Sequence, residues 1–377
     1  MKKIIFISLF FFCQIIFAQF IKGSVKDEND VPISNVSIYI DGSTINALTD
    51  EKGNFDLQTS IKTGNLIINK EDFSKVIFPV KDAIGKNLKV TLQKEKLIEE
   101  VSLIPYTDRD FERNFSIFQY AFLGDTNSTK ILNKKDLLFA VDRKNNIFRA
   151  KAKHPLIIEN ENLGYTIQFD LINFEKAEQT LTYNGNTLFT EMRGSKKRES
   201  KFKEQREEAF IGSATHFFQS LFAEKTKENG FNINSVKIIP NPNYPTQLEM
   251  DQLNNYVKSQ IDLNKIINLD AMPKDIRIIS QKTKNSKTAL VILKKSISEN
   301  DYSYRKNGEL FLKFDNLLQV VYVTKDQRII DTLLDSDGET FQILADGYYL
   351  DQDKLIFNGT WGNYKISKML PTDYSLK

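Results

Sequence analysis

The sequence is poor in the residues that most often bind transition metals or act in catalysis. Its 377 residues include one cysteine, two histidines and one tryptophan. A zinc site built from cysteine and histidine needs several such ligands, and thiol catalysis needs a cysteine that is activated by a neighbouring base. The composition therefore argues against a His/Cys metal site and against a thiol enzyme, and we expect no metal and no cofactor.

Charge of one sign is not in excess either. The chain has 52 Lys and Arg residues against 49 Asp and Glu residues, a net charge of +3. Because Lys2 and Lys3 lie in a segment that we expect to be removed, the mature chain would hold 50 basic and 49 acidic residues. Such a nearly neutral chain gives no electrostatic reason to bind nucleic acid. Hydrophobic residues make up 41% of the chain, which is enough for packed cores, and its length predicts two or three domains.

The first 18 residues have the features of a secretory signal peptide. Lys2 and Lys3 are followed by an apolar run over residues 4–17, which ends at the small residue Ala18. A retained membrane anchor is the alternative, but the run is shorter than the roughly 20 residues that span a bilayer. Cys13 lies within the run without a small residue before it, so we do not expect a lipoprotein. No later segment is apolar for long enough to form a transmembrane helix.

This leader predicts an exported protein of the periplasm, the outer membrane or the cell surface. If the leader is cleaved after Ala18, the mature chain contains no cysteine. It would then occupy an oxidising compartment without disulfides, and its stability would depend on the burial of apolar surface.

Residues 19–94 have the pattern of a small β-sandwich. The segment 36–40 alternates apolar and polar residues with a period of two, which is typical of a half-buried strand. The segment 50–54 is a turn, in which Gly53 is expected to adopt a positive φ. Further short strands follow at regular spacing, and no helical pattern interrupts them.

The same residues resemble a known domain family. Gly23-Ser24-Val25, Pro32-Ile33 and the run Thr49-Asp50-Glu51-Lys52-Gly53-Asn54-Phe55 are similar to the carboxypeptidase regulatory-like domain, a transthyretin-like β-sandwich that is common in envelope proteins of Bacteroidota. The resemblance implies a fold and a cell-envelope location. It implies no catalytic residues, because this domain is an accessory module.

Residues 95–108 are predicted to be a linker. The segment 94–103 also resembles the extended stretch that follows such a domain in TonB-dependent outer-membrane receptors. A charged linker is the interpretation that we favour. The remaining sequence lacks the long series of membrane strands that a receptor of that kind needs.

The remaining sequence predicts a larger β-rich region. Strand patterns cover much of residues 131–174, a hairpin is predicted with its turn at 184–186, and the charged segment 195–208 is predicted to be a solvated loop and helix start rather than a basic patch. A helix is predicted at 214–228, where Phe217 and other apolar residues recur at steps of three and four. We expect this helix to pack against a sheet formed by the Leu137–Leu171 strands.

The C-terminal part of the sequence gives weaker signals. Strands are predicted at 288–293, 310–314, 320–324, 341–344 and 355–358. The loop 335–339 is expected to be a hairpin turn, because it lacks the ligand pattern of a calcium-binding EF-hand.

The predicted fold is therefore mainly β with one principal helix, an α+β body preceded by the transthyretin-like β-sandwich. The expected organisation is a signal peptide (1–18), the β-sandwich (19–94), a linker (95–108), a β-rich region that ends in a helix (109–230) and a C-terminal β-rich region (231–377). The last two regions form either one domain or two.

A second resemblance covers most of the remaining chain. His154-Pro155-Leu156, Leu163-Gly164-Tyr165, the segment 206–231 and the ending from Trp361 to Tyr374 are similar to the body of a group of secreted Bacteroidota proteins that share this N-terminal domain. This group has no established activity, so the resemblance implies no catalytic residues.

Known catalytic motifs are absent, and four residues are the candidates for function: His154, Arg206, Ser213 and His216. The enzymatic interpretation is a hydrolase in which His216 acts as the base, with Ser213 or Ser220 as the nucleophile and Glu207 or Glu208 as the orienting carboxylate. The structural alternative is that Ser213 caps the helix and that His216 and His154 each make an ordinary hydrogen bond.

We therefore expect a non-enzymatic envelope or secreted protein that binds an envelope protein or a glycan. A hydrolase centred on His216 and an accessory component of TonB-linked outer-membrane uptake are the alternatives. Convergence of His154, Arg206 and His216 in one cleft would favour the hydrolase. Exposure of Tyr348, Tyr349 and Trp361 on one face would favour stacking on a sugar.

Overall fold

The structure is a computed structural model that describes residues 19–94, 107–178, 180–262, 272–350 and 354–376. The predicted signal peptide and most of the predicted linker lie outside these residues. The chain divides into two compact units. The first unit comprises Met1–Gln219, Leu344–Tyr348 and Asn363–Lys377, and the second comprises Ser220–Ile343 and Tyr349–Gly362.

The N-terminal domain, residues 19–94, is a β-sandwich. Its elements are β1 (Gln19–Asp27), β2 (Ser37–Ile40), β3 (Asn46–Leu48), β4 (Asn54–Thr59), β5 (Asn65–Asn69), β6 (Val76–Pro79), α1 (Val80–Ala83) and β7 (Asn87–Leu92). One sheet has the order β4-β1-β7, with β1 and β7 parallel, and the other has the order β3-β2-β5-β6. Buried aliphatic side chains from both sheets form the core, among them Ile21, Val25, Ile38 and Leu66. The predicted fold class, mainly β with a β-sandwich at the N-terminal domain, is confirmed.

The turn before β4 is fixed by Asp50 and Gly53. The Asp50 Oδ1 atom accepts hydrogen bonds from the backbone N–H groups of Lys52 (2.9 Å) and Asn54 (2.8 Å). Gly53 has a φ of +74°, as the sequence predicted, and its carbonyl accepts from the Val25 N–H (2.8 Å). A Cβ atom on Gly53 would lie 2.4 Å from the Val25 carbonyl oxygen. Gly53 is therefore required both for its backbone conformation and for the close approach of β1.

A comparison of two glycines tests this requirement. Gly64 also has a positive φ (+81°), but no atom lies within 4 Å of its Cβ position. Gly64→Val should lower the free energy of unfolding by about 1–2 kcal/mol, only because Val disfavours the left-handed backbone conformation. Gly53→Val should cost at least about 1 kcal/mol more, because it also displaces the Val25 carbonyl. Amide hydrogen exchange of β1 and β4 in the full chain measures the difference, and equal effects of the two variants would contradict it.

Polar contacts attach this domain to the rest of the first unit. The Asp41 carboxylate accepts from the backbone N–H of Thr187 (2.7 Å) and from Asn186 Nδ2 (2.9 Å). Lys75 donates to Asn186 Oδ1 (3.1 Å) and forms an ion pair with Asp170. Burial raises the pKa of Asp41 above its usual value, although these donors oppose the shift. The N-terminal domain is thus held to the rest of the first unit by hydrogen bonds and ion pairs as well as by the covalent chain.

The central part of the first unit is a sheet covered by a helix. Its elements are α2 (Asp108–Leu123), β8 (Thr129–Ile131), β9 (Leu137–Asp142), β10 (Ile147–Ala152), β11 (Leu156–Asn160), β12 (Tyr165–Lys176) and β13 (Leu181–Glu191). The order is β8-β11-β12-β10-β9, and β13 also pairs with β12. The long strand β12 pairs with β11 near its start, with β10 near its end, and with β13 along its length.

Aromatic side chains of α2 pack on this sheet. Phe118 is fully buried, and its ring centroid lies 4.7 Å from that of Phe174 and 5.9 Å from that of Phe139. Phe122 meets Phe169 edge to face at 5.0 Å. These contacts make α2 the helix that covers the sheet of the Leu137–Leu171 strands.

The predicted helix at 214–228 was wrong in both its length and its role. The helix α4 (Ala214–Phe222) ends at Phe222, and Glu224 has a φ of +58°. The N–H and the hydroxyl of Thr226 both donate to Glu299 Oε1 (2.9 and 2.5 Å), which holds the chain in a non-helical path. The stripe of Phe residues at 111, 115, 118 and 122 has helical spacing, and it is this stripe that faces the sheet.

The charged segment at 195–208 is helical over nearly its whole length. The helix α3 (Lys196–Phe210) is capped by Ser195, whose hydroxyl accepts from the N–H of Arg198 at 3.4 Å. The predicted helix start is therefore present, but the predicted loop is not. The buried side chains of Phe202, Ala209 and Phe210 give the helix the apolar contacts that an isolated charged helix lacks.

The hairpin predicted at 184–186 was also wrong, because β13 continues through these residues. Gly185 pairs with Leu171, Asn184 pairs with Asn173, and the pairing register shifts between Leu171 and Asn173. A Cβ atom on Gly185 would lie 2.3 Å from the Asp170 carbonyl oxygen. Gly185 thus permits two backbones to approach at a β-bulge, which is a second common role of glycine in strands.

The described residues of the second unit form two sheets and a pair of helices. Its elements are β14 (Phe231–Pro240), α5 (Gln247–Asp262), α6 (Lys274–Lys282), β15 (Thr288–Lys294), β16 (Ser303–Lys306), β17 (Glu309–Leu312), β18 (Leu317–Val323), β19 (Ile329–Asp335), β20 (Phe341–Ile343) and β21 (Ile356–Gly359). The sheets have the orders β15-β14-β18-β19-β21 and β16-β17-β20. The strands predicted here are present, whereas α5 and α6 were not predicted.

The loop 335–339 is a turn that follows β19, but the hairpin predicted there was wrong, because the next strand, β20, belongs to the other sheet. Asp337 and Gly338 both have a positive φ, and the N–H of Glu339 donates to the Ser336 carbonyl at 2.8 Å. In the described part of the chain, no helix is both long enough and apolar enough to cross a membrane.

Candidate functional site

Arg206, one of the four candidate residues, binds the turn that leads into β12. Its Nε donates to the Leu163 carbonyl (2.7 Å) and its Nη2 to the Gly164 carbonyl (2.9 Å). Its Nη1 donates to Glu191 Oε1 (2.7 Å), and the guanidinium lies 3.8 Å from the centroid of the Tyr165 ring. Only 12% of the Arg206 side chain is exposed. The guanidinium therefore satisfies two turn carbonyls and stacks on an aromatic ring at the same time.

The turn is shaped to receive this guanidinium. The Asn160 Oδ1 atom accepts from the Leu163 N–H (3.0 Å), and the Gly164 N–H donates to the Asn160 carbonyl (2.8 Å). Gly164 has a φ of +67°, and a Cβ atom there would lie 2.3 Å from the Phe202 ring. Because α3 carries both Phe202 and Arg206, it packs on Gly164 and donates hydrogen bonds to the carbonyls of Leu163 and Gly164.

A cleft of about 420 Å³ lies beside Arg206. The N-terminal domain, α3, β13 and the C-terminal tail all contribute to its walls, which are lined by Thr44, Tyr165, Glu191, Lys203, Arg206, Glu207, Pro371, Asp373, Tyr374, Ser375 and Leu376. Two cationic and three anionic side chains line it. This mixture of charges gives the cleft no strong preference for an anion or a cation.

The C-terminal tail is held against the N-terminal domain at this cleft. The Thr44 N–H donates to Asp373 Oδ1 (3.0 Å), and the Thr44 hydroxyl donates to Asp373 Oδ2. The Thr372 N–H donates to the Gly42 carbonyl (2.8 Å). The Tyr374 ring lies 5.6 Å from that of Phe210 on α3. The C-terminal tail thus forms one wall of the cleft, and its residues are distant in sequence from those of the other walls.

His216 and Ser213 stabilise the connection between α3 and α4. The Ser213 hydroxyl accepts from the His216 N–H (3.2 Å), which is the geometry of a helix N-cap. The His216 Nδ1 atom accepts from the Gly212 N–H (3.0 Å), and the ring lies 5.1 Å from that of Phe210. Burial lowers the pKa of His216 from its ordinary 6.5 to about 4. The imidazole is therefore neutral at physiological pH.

This geometry does not provide the base of a hydrolase. Since Nδ1 accepts from Gly212, the neutral ring of His216 carries its proton on Nε2. A base that used Nε2 would require the proton on Nδ1, where it would face the Gly212 N–H. The other nucleophile candidate, Ser220, has a hydroxyl that accepts from Asn229 Nδ2 (2.9 Å). Glu207 lines the cleft of Arg206, and Glu208 accepts from Gln205 Nε2 at 3.4 Å.

His154 lies in a different environment. Its side chain is 54% exposed, with Nδ1 at 3.3 Å from Asp136 Oδ1 and Nε2 at 3.9 Å from Glu71 Oε1. Neither His154 nor His216 lines the cleft that holds Arg206. The three residues whose convergence would favour a hydrolase are therefore not brought together there.

The aromatic residues considered for sugar stacking are not a free platform. Trp361 is buried (5% exposed), and its ring meets that of Phe357 at 5.8 Å. Tyr349 also packs edge to face on Phe357 at 6.0 Å, and burial raises the pKa of Tyr348. Trp361 thus belongs to the packed interior of the second unit.

The sequence analysis missed most residues of the Arg206 cleft. Tyr165, Glu191, Thr44 and Asp373 were not singled out as site residues. Tyr165 and Asp373 lie within the segments that resemble the body of the secreted Bacteroidota proteins. That resemblance was the one signal in the sequence that could have indicated them. Among the described residues, no group of His, Cys, Asp or Glu side chains is arranged to hold a metal ion.

A family model for the CarboxypepD_reg-like domain matches residues 21–103. The chain therefore carries a CarboxypepD_reg-like domain. This domain is non-catalytic, and the comparisons identify no enzyme family. No curated protein matches the chain.

Two solved structures are similar over most of the chain, at low identity. One is a putative membrane-associated protein of unknown function from Bacteroides fragilis, with 9% identity, coverage of 91% of this chain and 94% of that chain, and a TM-score of 0.16. The other is BcpA, the major pilin subunit of Bacillus cereus, with 9% identity, coverage of 90% and 83%, and a TM-score of 0.15. At these TM-scores neither structure establishes a shared fold.

Substitutions in α4 separate a packing role from a catalytic one. Phe217 is fully buried, so Phe217→Ala should lower the free energy of unfolding by about 3–5 kcal/mol. His216→Ala should cost about 1 kcal/mol, because it removes one hydrogen bond to Gly212. Urea unfolding of the purified chain measures both. A tolerant Phe217, together with a His216→Ala variant that folds but loses its cellular phenotype, would favour the hydrolase instead.

The neutral His216 also predicts a dependence of stability on pH. The unfolded chain binds a proton near pH 6.5, whereas the folded chain binds it only near pH 4. The stabilisation is therefore complete above pH 6.5 and is lost as the pH falls towards 4. We expect the free energy of unfolding to fall by about 2 kcal/mol over this range. This is less than the full pKa shift of His216 corresponds to, because solvent screens part of the effect.

His216→Asn is the matched control for this pH dependence. The Asn side-chain oxygen can accept from the Gly212 N–H, but it does not titrate. Chemical unfolding at a series of pH values should show a wild-type advantage over His216→Asn that shrinks between pH 6.5 and 4. A difference between the two proteins that does not change with pH would show that His216 is not held neutral by the fold.

Proposed function

We propose that this chain is a non-enzymatic protein of the cell envelope that binds a partner protein or a glycan. The observation that carries the proposal is the use of the candidate catalytic groups to hold backbone. Arg206 binds two turn carbonyls, Ser213 caps α4, and His216 accepts from Gly212. Each of these contacts explains its residue without a substrate.

The proposed location rests on the leader and on the N-terminal domain. The two lysines, the apolar run and Ala18 support export and cleavage. The CarboxypepD_reg-like domain is non-catalytic, which agrees with a role in binding. We propose the periplasm, the outer membrane or the cell surface of a member of the Bacteroidota as the site of action. The alternative of an accessory role in TonB-linked uptake depends on the segment 94–103, which lies outside the described residues except for Lys94.

An experiment in cells tests the proposed location and the cleavage of the leader. The full chain with its leader is expressed in a Bacteroidota host, isolated from the envelope fraction and sequenced from its N-terminus. We expect Gln19 as the first residue, because cleavage should follow Ala18. A mature protein that begins at Met1 would contradict cleavage, and a protein confined to the cytoplasm would contradict the proposed location.

Chemical crosslinking in the same cells tests the binding role. We expect a discrete adduct whose yield is unchanged in His216→Asn, since that variant keeps the hydrogen bond to Gly212 and removes any acid–base function. Absence of any adduct would overturn the proposed function. If a folded His216→Asn variant lost its cellular phenotype, that result would support the hydrolase instead of the proposed binding function.

A further inference from the structure

The strand β15 forms an unusual edge in the second unit. It is the terminal strand of the sheet β15-β14-β18-β19-β21. Four consecutive apolar residues of β15 are substantially exposed: Leu290 (42%), Val291 (37%), Ile292 (42%) and Leu293 (48%). Since neighbouring residues of a strand point to opposite faces, both faces of this edge strand present apolar side chains to solvent. Proteins usually protect such edges, because they are templates for pairing with another strand.

The sheet is incomplete beside this edge. β14 pairs with β18 only over residues 231–236, whereas it pairs with β15 over residues 235–240. Beyond Val236, the described structure therefore continues as a two-stranded ribbon. Two-stranded ribbons are only marginally stable in water, and a third strand that buries an apolar face stabilises them.

The hydrogen-bonding pattern identifies which backbone groups point outward. The Asn241 N–H donates to the Lys287 carbonyl (3.0 Å), and Pro240, which has no N–H, lies opposite Thr288. In an antiparallel pair, bonded and non-bonded positions alternate. Residues 287, 289 and 291 therefore bond towards β14, and the N–H and carbonyl groups of Thr288 and Leu290 point to the open edge.

The charge around the edge indicates the chemistry of its partner. The segment 276–298 contains no Asp or Glu but has six basic residues: Arg277, Lys282, Lys284, Lys287, Lys294 and Lys295. Lys287, Lys294 and Lys295 flank the apolar part of β15 at its two ends. Among the described residues, Lys287 and Lys295 make no ion pair. If a partner strand paired with β15, carboxylates at both of its ends would lie close to these lysines.

A second copy of this chain is a poorer fit to the same edge. Antiparallel self-pairing centred on Val291 would place Lys287 of one copy opposite Lys295 of the other. Like charges that face each other across a strand pair are destabilising, and the pairing would double a positive charge that no carboxylate in 276–298 offsets.

We propose that the open edge of β15 is a strand-addition site, which binds an extended peptide segment of a partner protein with an apolar centre and acidic residues at both ends. This inference rests on the proposed partner-binding function and identifies the surface that performs it. Main-chain hydrogen bonds from Thr288 and Leu290 would align the peptide. The exposed apolar residues of β15 would supply contact area, and the flanking lysines would set the preference for acidic ends.

A peptide-binding experiment with the full chain tests the site. The probe is a fluorescent peptide of alternating Thr and Val residues with two Glu residues at each end, and binding is followed by anisotropy. We expect saturable binding that weakens as salt is raised, and at least about tenfold weaker binding of the same peptide with Lys in place of Glu. Equal binding of the two peptides, or no binding of the acidic one, would overturn the proposal.

Two substitutions at one position separate the backbone from the side chain. Leu290→Pro removes the outward N–H but none of the bonds to β14, since Pro is tolerated at the open side of an edge strand. It should weaken binding at least about tenfold. Leu290→Thr keeps the N–H and should change binding less than about threefold. Equal losses in the two variants would show that the site is a hydrophobic patch and not a strand edge.

A modified peptide keeps the test valid if Leu290→Pro does not fold. Methylation of alternate backbone nitrogens on the peptide removes its donors on one edge and leaves the protein unchanged. Methylation of the set that faces β15 should abolish binding, and methylation of the other set should not. Equal binding of the two methylated peptides would contradict strand addition.

The crosslinked adduct in cells distinguishes failure of this site from failure of the proposed function. Loss of the adduct in Leu290→Pro but not in Leu290→Thr supports the site. An adduct that persists in Leu290→Pro overturns the site and leaves partner binding intact elsewhere. A wild-type dimer that Leu290→Pro dissociates, measured by sedimentation, would assign the edge to self-pairing and overturn the proposal.

Discussion

The structure of the first unit depends on the placement of one buried guanidinium. In the turn between β11 and β12, Arg206 donates to the carbonyls of Leu163 and Gly164, and the Gly164 carbonyl also accepts from the Met192 N–H (2.9 Å). A buried carbonyl that lacks a hydrogen-bond donor destabilises the folded state. Glu191 and the Tyr165 ring offset the cost of burying the charge. Because α3, β12 and β13 each supply one of these groups, they are held in one arrangement.

The same arrangement gives the candidate catalytic residues a structural role. Three of the five N–H groups of Arg206 are bonded to the Leu163 and Gly164 carbonyls and to Glu191, so most of its donors already have partners within the protein. His216 and Ser213 are used in the same way at the next connection, where they bind the backbone of Gly212 and of α4. The polar residues that stand out in the sequence therefore serve loops and helix ends, and the surface that we propose for a partner is instead the apolar edge strand β15.

The sequence could predict those features that depend on neighbours in the chain. The turn at Gly53, the β-sandwich and the cap at Ser213 all follow from local patterns of a few residues. The Arg206 cleft could not be predicted, because Thr44, Tyr165, Glu191 and Asp373 come from distant segments. The hairpin at 184–186 failed for a related reason: its Asn-Gly pair has the local signature of a turn, but the bulge in β12 opposite Gly185 is determined by strand pairing.

The bond between Thr44 and Asp373 joins residues that are 329 positions apart, and the whole of the second unit lies between them in the chain. Contacts of such high sequence separation close a long loop, and the entropy lost in closing that loop slows their formation. The first unit can therefore begin to fold from its own strands, but its contact between Thr44 and Asp373 can close only after the residues of the second unit have been synthesised. A chain cut short by a few residues at its C-terminal end would lose this closure while keeping every strand of the central sheet.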